Sequence, residues 1–309
     1  MKPAHLRRII LGITLLTASP GPAFSNVLTI FAIPTPYGND YSSPRQLALS
    51  TNRNFNAGYI YPLGHAAFHL RCAPDAGSKE GIDIFDGING LRMSEGEYLT
   101  RRRGYGLGVM FSILSGHFEG RETTIERVQA HMDSGAAAFI HFDITARACH
   151  RMATFIEEYK NLGIPDNYGL SLRPRHKEGA NCATFAAALL EVGGLADPGL
   201  MESWRVTLRV PEHLVGGPLT GRFIPPWFFF VRPFWARRWA GPYDPHYFIE
   251  FQDPELLYRH IWNRWQQGLS PVDNGDMPAT LTQTGNTRGF IVDATSVPVP
   301  EEPFWLAPP

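Results

Sequence analysis

Hydrophobic positions along this chain fall into short runs broken by Gly and Pro, a pattern that predicts many brief strands and a few amphipathic helices. The most regular helical spacing is Ala148, Met152, Phe155, Ile156 and Tyr159, one apolar face that Thr145 caps and Asn161 to Ile164 ends. A second helix is predicted from Phe185, Ala186, Leu189, Leu190 and Val192, with Gly193-Gly194 as its stop. A third starts at Asp253-Pro254, with Pro254 in the first helical position and Leu256, Leu257, His260, Ile261 and Trp265 on its buried face. Ser94 to Arg103 reads as a short helix, and Thr123-Thr124-Ile125-Glu126 opens a short element that includes Val128 and Met132. Strands are predicted within Ala57 to Arg71, at Ile82 to Gly87 after a hairpin loop over Ala73 to Gly81, at Gly106 to Leu114, and at Ala138 to Ile144. Residues 26–56 read as irregular, with Pro34, Pro36 and Pro44, and residues 271–309 as an extended or disordered tail.

The first residues change the picture of where the protein works. Lys2, Arg7 and Arg8 precede an apolar stretch from Ile9 to Ala18, followed by Pro20, Pro22 and small residues Ala23 and Ser25. This reads as a secretory signal peptide, residues 1–25, cleaved near Ser25, which predicts a periplasmic or secreted protein. The apolar run is too short to span a membrane, and no later segment has the length for one, so no transmembrane anchor is expected. In an oxidising compartment three cysteines invite one pair and one free thiol. Cys72 ends a strand-like run and Cys149 lies on a predicted helix; pairing them leaves Cys182 free.

Composition adds limits. A formal net charge of −1 gives no electrostatic reason to expect nucleic acid or an anionic membrane as partner. A hydrophobic content of 44% is ordinary for a packed core.

The chemistry concentrates at Asn181-Cys182-Ala183-Thr184-Phe185. Asn181 is a good N-cap, so Cys182 falls in the first turn of the predicted helix, where the dipole and free N–H groups favour a thiolate. A thiolate there suits nucleophilic attack on a carbonyl; the bland alternative is a cysteine packed under a helix start. His65 and His69, four apart, would suggest a metal pair on a helix, but the segment reads as a strand and lacks a Glu after His65, so no metal site or cofactor is expected. His117, His141, His150 and His176 are each open as a base for Cys182.

The run Leu63-Gly64-His65-Ala66-Ala67-Phe68, the later strand and helix, Tyr168 and then Gly179-Ala180-Asn181-Cys182-Ala183-Thr184-Phe185 together resemble the circularly permuted NlpC/P60 papain-like hydrolases over about residues 57–195. In that group the histidine strand precedes the cysteine helix. The resemblance implies an α+β fold, a papain-like core of an antiparallel sheet packed on helices. It implies Cys182 as nucleophile, His65 as base, and Tyr168 as a second oxyanion donor beside the Cys182 N–H, with Asn181 in support. The third, orienting residue is expected on the next strand, where Asp83 is preferred over Asp86 because a carboxylate among Ile82, Ile84 and Phe85 is otherwise unexpected. Both aspartates facing solvent is the competing reading.

From Gly221 to Trp265 the chain is crowded with aromatics, including Trp227-Phe228-Phe229-Phe230 and Phe234-Trp235, interleaved with arginines. Such a stretch can stack on ligands or a partner, or pack over the core and wall a cleft. The expected organisation is a signal peptide (1–25), an irregular segment (26–56), a papain-like core (57–197), an aromatic, Pro-rich C-terminal extension packed on it (198–270) and a tail (271–309). The expected function is an exported hydrolase of an amide, ester or thioester, acting on a peptidoglycan peptide, an acyl lipid or a protein amide. The alternative is a non-catalytic envelope protein of the same fold that binds cell-wall or lipid ligands, with a possible envelope partner on the aromatic extension.

Overall fold

The computed structural model describes residues 25–58, 61–74, 80–91, 94–231 and 235–307. The expected signal peptide lies outside them except for Ser25. In chain order the elements are β1 (Val27–Ile33), α1 (Pro44–Asn56), β2 (His65–Cys72), β3 (Ile82–Asp86), β4 (Ile88–Gly90), α2 (Ser94–Arg103), β5 (Leu114–Phe118), α3 (Arg121–Ser134) and β6 (Ala138–Asp143). There follow α4 (Ala146–Asn161), β7 (Asn167–Tyr168), α5 (Cys182–Gly193), α6 (Pro198–Ser203), β8 (Arg205–Pro211), α7 (Phe228–Val231), β9 (His246–Gln252), α8 (Pro254–Gln267), β10 (Ala279–Thr284) and β11 (Thr287–Asp293).

The fold is mixed α+β. A six-stranded sheet in the order β10-β11-β6-β1-β2-β3 is packed on helices. Alternate residues of its central strands divide between two cores, as the two-residue period of a strand requires. Leu28, Ile30, Phe68, Leu70, Ile140 and Phe142 meet α4, α5 and α8 on one face. Phe31, Ile33, Ala67 and Phe139 meet Val128 and Met132 of α3 on the other. Helix α5 is buried along nearly its whole length, so it needs no polar face, and its alanines let it lie close to β2 and α4.

The segment 26–56 is not irregular: β1 lies between β6 and β2, all seven of its residues buried, and α1 follows with Ser43 as cap. Burial on both faces explains a run that is apolar except for Thr29, and the prolines all fall after the strand. The tail is not unstructured either. β11 pairs with β6, and its Phe290 and Val292 enter the main core. That pairing is parallel, so the sheet is mixed rather than antiparallel throughout. The core therefore draws on both ends of the chain and is not confined to residues 57–197. Leu107–Phe111, expected in a strand, forms a 3-10 turn that buries Leu107 and Met110, and β5 begins only at Leu114.

The aromatic segment divides. Helix α8 is capped by Asp253 and packs on β1, β6 and β11. The β8–β9 ribbon, α7 and Leu47 of α1 enclose a second core with Val206, Leu208, Val210, Phe229, Ile249 and Phe251. Phe223, Trp227, Trp235 and Tyr243 are more than half exposed. A groove of about 540 Å³ lined by Trp235, Trp239, Arg222 and Arg238 is distinct from the surroundings of Cys182 described below.

Cys72 at the end of β2 and Cys149 in α4 form a disulfide with a Cα–Cα distance of 5.6 Å. It closes a loop of 77 positions, for which the loss of unfolded-chain entropy corresponds to roughly 4 kcal/mol. Reduction, or the double variant Cys72→Ala/Cys149→Ala, is expected to lower the unfolding free energy in urea by that order. Among the described residues no helix is long and apolar enough to cross a membrane.

Candidate active site

Helix α5 begins with a capping box. The Asn181 side-chain oxygen accepts from the N–H groups of Ala183 and Thr184, each at 2.8 Å, while Thr184 Oγ1 accepts from the Asn181 N–H at 2.9 Å. Cys182 is thereby fixed as the first helical residue, 6% exposed, and it is the free thiol. Its own N–H lies among those an α-helix leaves without an internal partner. The loop before it is tied to β7 by Ala180 N–H to the Asn167 carbonyl and by Gly169 N–H to the Ala180 carbonyl. These bonds bring Tyr168 beside the thiol, close enough for Cys182 to act on its buried hydroxyl.

His65 arrives from the opposite direction. Gly64, at φ +77°, turns the chain into β2 so tightly that a Cβ there would lie 2.9 Å from the Ile33 carbonyl oxygen. Strand β3 pairs with β2 only from Phe68 onward, which leaves the His65 end of β2 without β3 beside it. In that space His65, 1% exposed, lies beside Cys182, close enough for the sulfur to act on the imidazole, although the two are over a hundred positions apart in sequence. The structure thus places Cys182, His65 and Tyr168 together, with Asn181 capping the helix that carries the cysteine.

The carboxylate beside His65 is Glu119, which follows β5. Its Oε2 lies 3.3 Å from His65 Nε2, and the side chain is fully buried. The approach is an ion-pair contact rather than an aligned hydrogen bond, since Nε2 has no partner of good geometry. Such bonds often tighten only when substrate is bound. Glu119 also accepts from the Tyr61 hydroxyl at 2.8 and 2.9 Å, from Asn89 Nδ2 at 3.0 Å and from Arg127 at 2.6 Å. The Tyr61 ring stacks on the His65 imidazole with centroids 4.1 Å apart.

Asp83, expected as the orienting residue, is not at this site. It accepts from His69 Nε2 at 2.7 Å and from Arg121 at 2.9 and 3.0 Å, on a partly exposed part of β3. It lies opposite Arg71, three pairs beyond the Phe68–Asp86 pair that begins the β2–β3 ladder, where burial is outweighed by His69 and Arg121, which lower its pKa. Asp86 is engaged by the N–H groups of Gly87 and Gly120 and by Lys160. Among the other histidines, His141 contacts Thr29 Oγ1 and His176 the Ala307 carbonyl. Sequence reasoning missed Glu119, Tyr61, Asn89 and Arg127. The available signal was a lone Glu closing the strand Leu114-Ser115-Gly116-His117-Phe118.

Electrostatics follow from these contacts. Burial pushes the His65 pKa down, but Cys182 and Glu119 outweigh it and raise it to about 9. Burial pushes Glu119 up, but His65, Tyr61 and Asn89 outweigh it and lower it to about 2. Burial and the adjacent Cys182 both raise Tyr168. An imidazolium flanked by a sulfur and a carboxylate can hold a proton and release it to a leaving group. Among the described residues no group of three or more His, Cys, Asp or Glu is placed to bind a metal.

Gly87 makes the closeness possible. A Cβ on it would lie 2.6 Å from His65 Nε2. Gly87→Ala is expected to displace the ring and slow any reaction using His65 by about tenfold or more, because misplacement of an ångström can cost about a hundredfold. Circular dichroism checks that the variant folds.

Comparisons with protein-family models, with curated proteins and with solved structures return no match for this chain.

Proposed function

We propose that this protein is an exported cysteine hydrolase of the permuted NlpC/P60 papain-like kind, cleaving an amide, ester or thioester. The observation that carries the reading is the buried contact of His65 with Cys182, backed by Glu119. A histidine strand ahead of a cysteine helix is the order that kind of enzyme has, with β2 and α5 in those roles. The oxidised Cys72–Cys149 pair supports export. In this reading the residues after 197 extend a papain-like core, and the exposed aromatics offer a surface for an envelope partner.

Cys182 Sγ, having given its proton to His65, attacks the substrate carbonyl carbon. The carbonyl π electrons move to oxygen, and the Cys182 N–H and Tyr168 hydroxyl hydrogen-bond that oxyanion. The carbonyl re-forms as the bond to the leaving group breaks, and His65 delivers its proton to that group. His65 then takes a proton from water, whose oxygen attacks the acyl carbon. Collapse releases the acid and the Cys182 thiolate. With Nε2 turned to Glu119, Nδ1 is the ring nitrogen left to serve sulfur. Glu119 fixes the ring's orientation and stabilises its cation, as a carboxylate does behind a catalytic histidine. A peptidoglycan peptide, an acyl lipid and a protein amide all present such a carbonyl.

The second reading, a non-catalytic relative that binds cell-wall or lipid ligands, is favoured by how little of Cys182 and His65 reaches solvent. Thiol chemistry separates the two. Alkylation of Cys182 by iodoacetamide is expected to persist below pH 7. A rate that merely follows a free thiol titrating near pH 8.5 counts against the hydrolase.

A further inference from the structure

The environment of Glu119 holds more than an orienting carboxylate requires. A buried carboxylate on its own takes up a proton, because burial penalises the charge. Here one fully buried group, in ion-pair contact with His65 of β2, receives hydrogen bonds from three other segments: Tyr61 from the turn before that strand, Asn89 from β4 and Arg127 from α3. Two of the donors also act on each other or on the base. The Tyr61 ring lies parallel to His65, within 6°, and the Arg127 guanidinium stands 5.6 Å from the Tyr61 centroid. The carbonyl of Arg127 in turn contacts His131 Nδ1 at 2.7 Å, and the His131 ring packs 5.7 Å from Tyr61.

Resting on the hydrolase reading, we propose that Tyr61 and Arg127 are positioning residues: they clamp Glu119 against His65 and so fix the ring in the orientation that serves Cys182. Tyr61 acts twice. Its ring sets the plane of the imidazole, and its hydroxyl holds both oxygens of the carboxylate that this imidazole faces. A π face against an imidazolium also favours the charged ring. Arg127, about one-third exposed on α3, supplies the charge that lets Glu119 stay ionised away from water. The charged and titratable groups facing this cluster are Cys182 from α5, Tyr168 from β7, and Arg127 and His131 from α3. The Lys160–Asp86 pair is directed at the backbone of Gly87 and Gly120 instead.

The sign follows. Glu119 is ionised down to about pH 2 with its donors in place. Removing the Tyr61 hydroxyl or the Arg127 charge takes away part of what opposes burial, with His65 and Asn89 still in place, and so raises that value. As pH falls, the carboxylate then protonates sooner, and His65 loses the partner of its cation. The acid limb of Cys182 reactivity moves to higher pH.

The test is the pH profile of Cys182 alkylation by iodoacetamide, from pH 4 to 9, in the full chain and in Tyr61→Phe, Arg127→Gln, Arg127→Lys and Glu119→Gln. Tyr61→Phe keeps the stacked ring; Arg127→Gln changes a partly solvated side chain, so one can fail to fold without the other. Tyr61→Phe and Arg127→Gln are expected to move the acid limb upward and lower the rate near pH 5 by about tenfold, one unit of pKa, and to lower the rate at pH 8.5 by much less. Arg127→Lys restores most of it, and Glu119→Gln shows at least the low-pH loss of both variants, its rate rising only as the unassisted thiol ionises towards pH 8.5. Folded variants that keep the wild-type limb, or that lower the rate evenly at all pH values, overturn the clamp. A wild-type profile that tracks a free thiol overturns the hydrolase reading, and the clamp with it.

Discussion

His65→Ala is expected to lower hydrolysis by roughly four orders of magnitude, the scale seen when a member of a catalytic triad is removed. Alkylation of Cys182 below pH 7 goes with it. What remains is the N-terminus of α5, which contributes about 0.3–1 kcal/mol to an anion at an exposed site, less than one pKa unit. The fold survives, because β1, β2, α4 and α5 hold the sheet through contacts that do not involve the imidazole. A rate measured with a chromogenic ester, set beside the melting temperature, separates loss of chemistry from loss of structure. If His141→Ala or His176→Ala abolishes reactivity while His65→Ala leaves it intact, the assignment of the base is wrong.

The second large effect distinguishes two carboxylates. Glu119→Gln keeps the shape of the buried side chain and removes the charge that His65 Nε2 faces, so a loss of about a hundredfold or more in kcat is expected. Asp83→Asn is expected to leave kcat within about threefold. Asp83 holds a partly exposed cluster with His69 and Arg121, and such surface ion pairs contribute about 0–1 kcal/mol. Equal losses in the two variants would place the orienting carboxylate on β3 after all.

Features that depend on a few neighbouring residues were legible in the sequence. The Asn181 cap, the start of α5 at Cys182, the Thr145 cap of α4 and the Asp253-Pro254 start of α8 all rest on local hydrogen bonds within a turn. Cysteine arithmetic reached the Cys72–Cys149 pair because a strand end and a helix were the only two positions left once Cys182 was set aside. What depends on distant packing was not legible. Val27 to Ile33 is a short run, apolar but for Thr29, that reads as nothing in particular until β6 and β2 close on its two sides. Thr287 to Asp293 looks patternless because its parallel partner, β6, lies about 150 positions earlier. The same limit explains the misplaced carboxylate. Asp83 follows His65 at the spacing of a hairpin, so it is the local choice. Glu119 reaches His65 only because β3 ends at Asp86 and the Glu119 N–H bonds the Gly87 carbonyl at 2.9 Å, folding the end of β5 over the histidine.

The central claim is that Cys182 is the nucleophile and His65 its base, and acyl trapping tests it most directly. The full chain is mixed with p-nitrophenyl acetate near pH 6, quenched in acid within the first turnover, and digested for mass mapping. The account predicts a single acetyl group on the Cys182 peptide that disappears as the ester is exhausted, and no such adduct in Cys182→Ser or His65→Ala. An unlabelled Cys182, or an acetyl-Cys182 that persists and forms equally well without His65, would contradict it.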